Sequence, residues 1–562
     1  MAVTALGAVR DLARLHEISV VLIRHGLGDL VRRVGVATVL ERAGRILHWA
    51  DAAKGAQLEP PQRLRRALEE LGPTFVKLGQ MLSTREDLLP PSWTAELEQL
   101  QSRAAPVPFE ALEPVIARAL GAPPDRLFAD LEREPFGAAS IAQVHRAKLA
   151  DGTPVVIKVR RPGIEAKIEA DLRILEHLAQ LVENELPEAR RYQPVRVVDE
   201  FRRSLMRELD LANEARNVER FARNFRDDPY ILIPRVYGQW TRATVNVQAC
   251  IEGVPGDDEA AIERAGLDRK LLAERGADAV LKMILVDGFF HADPHPGNVL
   301  YLPGNRIALI DFGMAGRLTP ARRNQIVDLL TGLARHDDEA MLGVLLDWAG
   351  EDAVDEERLV ADMNELAFDV ADVPLKEIRI GPLLRRVTAV VREHGIVMPA
   401  DLSLMFKALI TLEGLGRRYD PEFRLVDRLK PFLDRAIAAR TAPRALVRRT
   451  GAGVSEFLGL LNALPRDLGR LLKDARRGRM RVDLDLKRLD SFGRKLDSTI
   501  DRITIGIMTA SLVIGSSIVM TVTSGPRLFG MPLFTVIGLL GYLLAFLNSV
   551  WIIVSIWRSR RD

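Results

Sequence analysis

Residues 291–313 read HADPHPGNVLYLPGNRIALIDFG, and no other stretch limits the architecture as much. Two apolar runs, Val299–Leu302 and Arg306–Ile310, flank Pro303-Gly304-Asn305, a composition that predicts a short hairpin. Before it stand Asp293 and, five residues on, Asn298; Asp311-Phe312-Gly313 closes it. The hairpin fixes the distance between the two groups. Phosphoryl transfer needs this layout: one carboxylate meets the nucleophile's proton, and a second carboxylate with an amide oxygen holds Mg²⁺ on nucleotide phosphates. Hard oxygen ligands suit that ion. Asp293 is the candidate catalytic residue, and Asn298 and Asp311 are the candidate metal ligands. Asp-Phe-Gly alone carries little information; the ordered combination is specific.

His291, Asp293 and His295 also invite comparison with a hydrolytic metal site. The chain has nine His and no His-Glu-x-x-His, and Pro294 and Pro296 stiffen the loop, so it is not a helix presenting ligands on one face. A purely structural loop with Asp293 as turn former leaves Asn298 and Asp311 unexplained.

A chain of 562 residues exceeds one compact core, so several domains are expected. The net charge of +3 gives no reason to invoke nucleic acid. A single cysteine, Cys250, excludes an intramolecular disulfide and a multi-cysteine zinc site. Charges within MAVTALGAVRDLARLHE argue against a cleavable signal peptide.

Residues 1–60 have the period of an amphipathic helix, either a packing helix or one lying on a membrane surface, with a break at Pro60-Pro61. Arg63–Ser83 reads as the next helix, with Phe75, Leu78 and Leu82 on one side and Lys77 and Gln80 on a neighbouring face. By pattern alone Lys77 is a solvated lysine. Glu134–Val159 reads as a hairpin entered by the small-residue loop Phe136-Gly137-Ala138-Ala139-Ser140-Ile141-Ala142-Gln143. Backbone N–H groups approach phosphates only where side chains are small. Lys158 lies in the apolar strand Val155–Val159, where burial requires a partner: a phosphate on one side, a helix Glu on the other. The alternative is an edge lysine reaching solvent. Val195–Phe225 is expected to be one helix carrying Glu208, Asp210 and Glu214, the last two sharing a face at i,i+4. Thr244–Ala249 is expected to run as a strand into a linker at 250–253, with Ala249 and Ile251 as backbone contacts for adenine. Gly276–Gly288 reads as an apolar helix, and Pro320–Pro431 is helical by period. No Ala-Pro-Glu motif follows Asp-Phe-Gly, which weighs against peptide substrates.

Arg444–Arg502 is rich in basic residues; Ile503–Thr523 and Pro532–Trp557 are about twenty and about twenty-five uncharged residues, long enough to span a bilayer. The chain ends RSRRD, so the expectation is a transmembrane hairpin with both ends in the cytoplasm, against the alternative of two buried helices.

Lys77-Leu78-Gly79-Gln80, the Ala-rich loop, Lys158 in VIKVRRPG, Glu208-Leu209-Asp210, HADPHPGN and DFG together resemble the motifs of the UbiB family of atypical protein-kinase-like ATPases, from about Leu71 to Arg317. The resemblance implies an α+β, bilobal protein-kinase-like fold with an N-terminal helical extension and a C-terminal two-helix transmembrane hairpin. The expected divisions are 1–110 (extension), 111–253 (N-lobe), 254–440 (C-lobe), 441–502 (basic linker) and 503–557 (hairpin). It implies ATP and Mg²⁺, with nucleotide contacts at Gly137 to Gln143, Lys158, Glu214, Ala249 and Ile251, and catalysis by Asp293 and Lys158. Lys77, Gln80, Glu208 and Asp210 would form a lid, Lys77 pairing with Glu208 or Asp210, and Glu214 would be the helix partner of Lys158. It further implies a role in ubiquinone biosynthesis at a bacterial inner membrane, through ATP hydrolysis coupled to handling lipid precursors, with ubiquinone-biosynthesis proteins as partners. Four residues depart from the family pattern: Gly137 at the start of the alanine run, Ala249 and Cys250 at the hinge and Glu86 after Ser-Thr-Arg. The alternatives are a small-molecule phosphotransferase and a non-catalytic nucleotide-sensing scaffold.

Overall fold

A computed structural model describes residues 2–33, 58–100, 105–335, 337–349, 354–371, 379–441, 508–521, 527–528 and 531–558. The chain divides into two compact units, Met1–Val447 and Arg448–Asp562.

The first unit opens with helix α1 (Ala2–Arg24). The expected helix Arg63–Ser83 is in fact two, α2 (Pro60–Leu71) and α3 (Pro73–Ser83), and the chain turns between them at Gly72. With φ +97° at Gly72 and proline at the first position of each helix, the break is local chemistry. Pro60-Pro61 therefore starts a helix. Within α3, a Cβ on Gly79 would lie 2.2 Å from a Leu100 methyl and 2.8 Å from one of Leu68, so only glycine permits this packing.

The N-lobe sheet uses β1 (Asp130–Leu131), β2 (Gly137–Ala138), β3 (Ala142–Lys148), β4 (Pro154–Arg160) and β5 (Val245–Ala249), ordered β1-β3-β4-β5 with β2 paired to β3. Alternation along β4 buries Val155, Ile157 and Val159 against helix α4 (Phe109–Leu120), where Phe109, Leu112 and Ile116 complete a core. Lys158 lies on the other face, where it meets Glu214 of α7 (Leu211–Asn224), the helix that follows α5 (Ile164–Glu185) and α6 (Pro194–Leu209) in the chain.

Val195–Phe225 is not one helix. Asp210 adopts an extended conformation (φ −90°, ψ 94°) and caps α7, its carboxylate accepting from Ala212 N at 3.0 Å. An Asp caps an N-terminus better than it continues a helix, so the i,i+4 argument relating Asp210 to Glu214 fails here.

The C-lobe contains β6 (Val254–Pro255), helix α8 (Arg269–Leu281), β7 (Phe289–His291), β8 (Val299–Leu302), β9 (Arg306–Leu309) and β10 (Ala315–Arg317). The β8–β9 hairpin turns through Gly304 and Asn305, both at positive φ. Strand β9 also pairs in parallel with Ile231–Leu232, and β7 pairs with β10. Helices α9 (Ile380–Glu393) and α10 (Ala400–Tyr419) follow; α10 packs on α8, and its Met405, Phe406, Leu409 and Leu412 are buried in the same core.

In the second unit, the side chains described belong to 508–521 and 536–549. There the packing is close: a Cβ on Gly541 would meet Ser516 Oγ at 2.0 Å. Among the described residues no helix is long and apolar enough to cross a membrane. The expectation of two transmembrane helices, and with it the membrane anchor and the inner-membrane placement, is corrected accordingly. Apolar length in sequence is a necessary condition for a span, not a sufficient one. The basic linker expected at 441–502 lies almost wholly outside the described residues.

Candidate active site

Lys158 of β4, Glu214 of α7 and Asp311 after β9 meet in one charged cluster. Lys158 Nζ donates to Glu214 Oε1 at 2.8 Å and lies 3.7 Å from Asp311 Oδ1. Burial opposes the Lys158 charge, but Asp311 and Glu214 outweigh it and hold its pKa above the ordinary lysine value. The attraction of Lys158 holds the Asp311 carboxyl well below the usual carboxylate range, against the effect of burial and with help from the Gly313 N–H. Burial pushes Glu214 upward and Lys158 pulls it back. The cluster is thus a charged network in which the lysine is shared by two acids.

His291 ties this network to Asp293. Its Nε2 donates to the Asp311 carbonyl, and its Nδ1 accepts from Asp293 N at 3.2 Å. Those roles require the neutral ring, and burial lowers the His291 pKa to match. Asn298 Nδ2 donates to the Asp293 carbonyl at 3.3 Å, which turns its Oδ1 away as a free acceptor. Asp311 Oδ1 is held by Gly313 N at 2.9 Å. Phe312 is fully buried against Phe221 and His291, and its carbonyl accepts from Asn217 Nδ2. Among the described residues no three His, Cys, Asp or Glu side chains converge as a cage. The acceptors Asn298 Oδ1 and Asp311 instead suit a hard cation that takes its remaining ligands from phosphate and water.

The small-residue loop presents Gly137 and Ala138 half-buried and Ala139 exposed. Ser140 Oγ is buried with no hydrogen-bond partner among the described residues, an orphaned donor that a phosphate oxygen would satisfy. Ile141 and Ala142 are buried, and Ala142 O accepts from Ala139 N, so their role is to close the loop. Gln143 does not reach the cleft: its amide is consumed by Val107 N and O at 2.8 and 3.0 Å. At the expected hinge, Ala249 N and Cys250 N already donate to the Arg235 and Pro154 carbonyls, so of these N–H groups Ile251 remains the candidate donor to adenine.

Lys77 reaches Glu208 Oε1 at 2.5 Å, both largely buried. Glu208, with burial opposing it, raises the Lys77 pKa. Asp210 is committed elsewhere, to the α7 cap and to Arg216 at 3.0 Å. Gln80 donates to the Leu100 carbonyl at 2.9 Å.

Residues 99–345 match the family model described as the ABC1 atypical kinase-like domain, 363–424 the UbiB helical domain, and 487–558 the ABC1/UbiB kinase-like C-terminal domain. A relative in Marinobacter nauticus, named probable protein kinase UbiB, is 37% identical over 444 residues, 78% of this chain and 81% of that one. The chain belongs to the UbiB family. A Clostridium pasteurianum protein named only by its position upstream of hydrogenase 1 is 30% identical over 97% of this chain and 99% of its own. A solved structure, the Rv3197–erythromycin complex from Mycobacterium tuberculosis, is 23% identical over 68% of this chain and 94% of that one, with a TM-score of 0.43.

As a UbiB-family member the chain has a kinase-like domain of nucleotide-binding type. Sequence reasoning missed two features of its cleft. Arg85 and Asp87, in the Ser-Thr-Arg-Glu-Asp run after the α3 motif, are a buried ion pair. Lys407 stands beside Asp293. The available signal for Lys407 was a lone lysine in the apolar run LMFKALITL.

Proposed function

We propose that this UbiB-family protein is a Mg²⁺-dependent, kinase-like ATPase or phosphotransferase acting with ubiquinone-pathway proteins. The observation that carries the reading is the Lys158–Glu214–Asp311 network, locked to Asp293 through His291. Mg²⁺, when bound, neutralises charge on the phosphate oxygens. Asn298 Oδ1 and Asp311 would hold it. Lys158 would hold the α/β-phosphates, with Glu214 keeping the lysine extended across the cleft. The unpaired Ser140 hydroxyl and the half-buried Gly137-Ala138 backbone would meet phosphate oxygens. Asp293 would orient and deprotonate water or an acceptor hydroxyl, its backbone fixed by His291 and Asn298.

Phosphate release from ATP by purified full-length protein tests the reading. Release should require Mg²⁺ and fall by about a hundredfold or more in Asp293→Asn. Absence of both Mg²⁺-dependent release and any nucleotide-dependent thermal shift would overturn it.

The lid role of α3 has its own test. Lys77→Ala should cost about 1–3 kcal/mol, between an exposed and a buried pair, and alter nucleotide turnover with Asp293 intact. Adding Glu208→Ala should be less than additive, whereas adding Asp210→Ala should be additive, since Asp210 is bonded to Ala212 and Arg216. Equal coupling to both acids in a thermal-denaturation cycle would refute the Lys77–Glu208 assignment.

A further inference from the structure

Asp293 faces a cation that its own loop does not supply. Lys407 Nζ lies 3.8 Å from Asp293 Oδ1. Lys407 belongs to α10, inside the residues matching the UbiB helical domain and outside the kinase-like match at 99–345. A second region of the chain thus completes the surroundings of the candidate catalytic carboxylate.

Hydrogen bonds from the segment after α3 hold the start of α10. Asp87 Oδ2 accepts from Met398 N at 3.1 Å, and Arg85 donates to Met398 O at 3.3 Å. Arg85 and Asp87 are in turn joined by two bonds of 2.9 and 2.8 Å. Met398 lies just before α10, so the N-terminal extension fixes the entry of the helix, and Lys407 follows two turns in. Lys407 also lines a cavity of about 30 Å³ with Ser83, Thr84, Glu86, Glu98 and Ser403, and it forms no ion pair with either glutamate.

The contact to Asp293 is an ion pair too long to be a hydrogen bond. Among the described residues Lys407 has no other charged partner, so its three N–H donors remain available. His295 Nε2 stands at the same 3.8 Å from Asp293 Oδ2, but its Nδ1 accepts from Gly297 N at 3.0 Å, so it offers one ring nitrogen where Lys407 offers three N–H donors. A phosphoryl group brought up to Asp293 would set anion against anion. A flexible, uncommitted ammonium beside that carboxylate is what the approach requires.

We propose that Lys407 is a catalytic residue whose ammonium bridges Asp293 and an oxygen of the terminal phosphoryl group of a bound nucleoside triphosphate. The proposal rests on reading the cleft as a nucleotide site and adds to it a residue that discriminates triphosphate from diphosphate. In the transfer step, the oxygen of water or an acceptor hydroxyl forms a bond to the terminal phosphorus. The bond from that phosphorus to the bridging oxygen breaks, its electron pair leaving with the diphosphate. The proton of the attacking hydroxyl passes to Asp293, and Lys407 keeps its protons throughout.

The test uses full-length Lys407→Met, Lys407→Gln and Lys407→Arg. Dissociation constants for ADP and for a non-hydrolysable ATP analogue are measured with Mg²⁺, alongside steady-state phosphate release. The Met and Gln variants should bind the analogue about tenfold more weakly and leave ADP within about twofold, the loss expected for one charged hydrogen bond. They should lower kcat, and the Arg variant should recover most of it. Equal weakening of both nucleotides, or of neither, would show that Lys407 only packs α10 against the loop and would overturn the proposal. Because the two nucleotides are compared within each variant, partial unfolding cancels. If the wild-type protein binds neither nucleotide, the reading of the cleft itself fails, and the role of Lys407 with it.

Discussion

Arg85→Met is expected to lower folding stability by about 3–5 kcal/mol, the usual cost of stripping one partner from a buried ion pair. Arg85 and Asp87 are both buried, and each oxygen of the Asp87 carboxylate accepts from the guanidinium. Removal leaves Asp87, among the described residues, with the Met398 N–H. It also removes the Arg85 contacts to Glu200 on α6, at 3.2 Å, and to the Met398 carbonyl. The effect therefore reaches beyond one contact, since these bonds join the extension, α6 and the segment before α10. Pairing the change with Asp87→Leu should recover part of the loss, because no buried charge then remains. Urea denaturation of the single and double variants checks this. Strict additivity, or a loss below about 1 kcal/mol for Arg85→Met, would show that the pair is not what joins these elements.

The second large effect is expected at Asp311. Asp311→Asn should abolish the Mg²⁺-dependent rise in Tm given by ATP, a stabilisation of about 2.7 kcal/mol when ligand is present at a hundred times its Kd. The amide keeps the shape but supplies a weaker, neutral oxygen to the cation. A second consequence follows from linkage. The folded protein depresses the Asp311 pKa, chiefly through Lys158, so the ionised form contributes stability at pH values above the unfolded carboxylate range. That contribution is lost as the pH falls through the folded value. Without ligand, the variant should thus be less stable than wild type at neutral pH, and the gap should narrow as the pH drops below the ordinary carboxylate range. Thermal shifts with and without Mg²⁺–ATP, repeated along a pH series, separate the two effects. An unchanged Mg²⁺-dependent shift would remove Asp311 from the metal site.

Short-range chemistry was legible in the sequence. The β8–β9 hairpin, the alternation that turns Lys158 away from the N-lobe core and the order of Asp293, Asn298 and Asp311 rest on turn residues, strand period and spacing, all local properties. Where local signals competed, the reading failed. Asp210 could continue a helix or cap one, and capping won because its carboxylate satisfies the Ala212 N–H. Gly72 divides a helix that periodicity alone would carry through. The apolar runs at 503–557 met the length criterion for a bilayer span, yet among the described residues no helix is long and apolar enough to cross one.

Tertiary structure alone decided which charges meet. Nothing in the spacing distinguishes Glu208 from Asp210 as the partner of Lys77, or marks Gln143 as bonded to the Val107 backbone. Nor does it bring Lys407 to Asp293. A side chain's period fixes the face it occupies on its own element. Its partner depends on how separate elements pack, and here a buried Arg85–Asp87 pair and the apolar seam between α8 and α10 set that packing across distant parts of the chain.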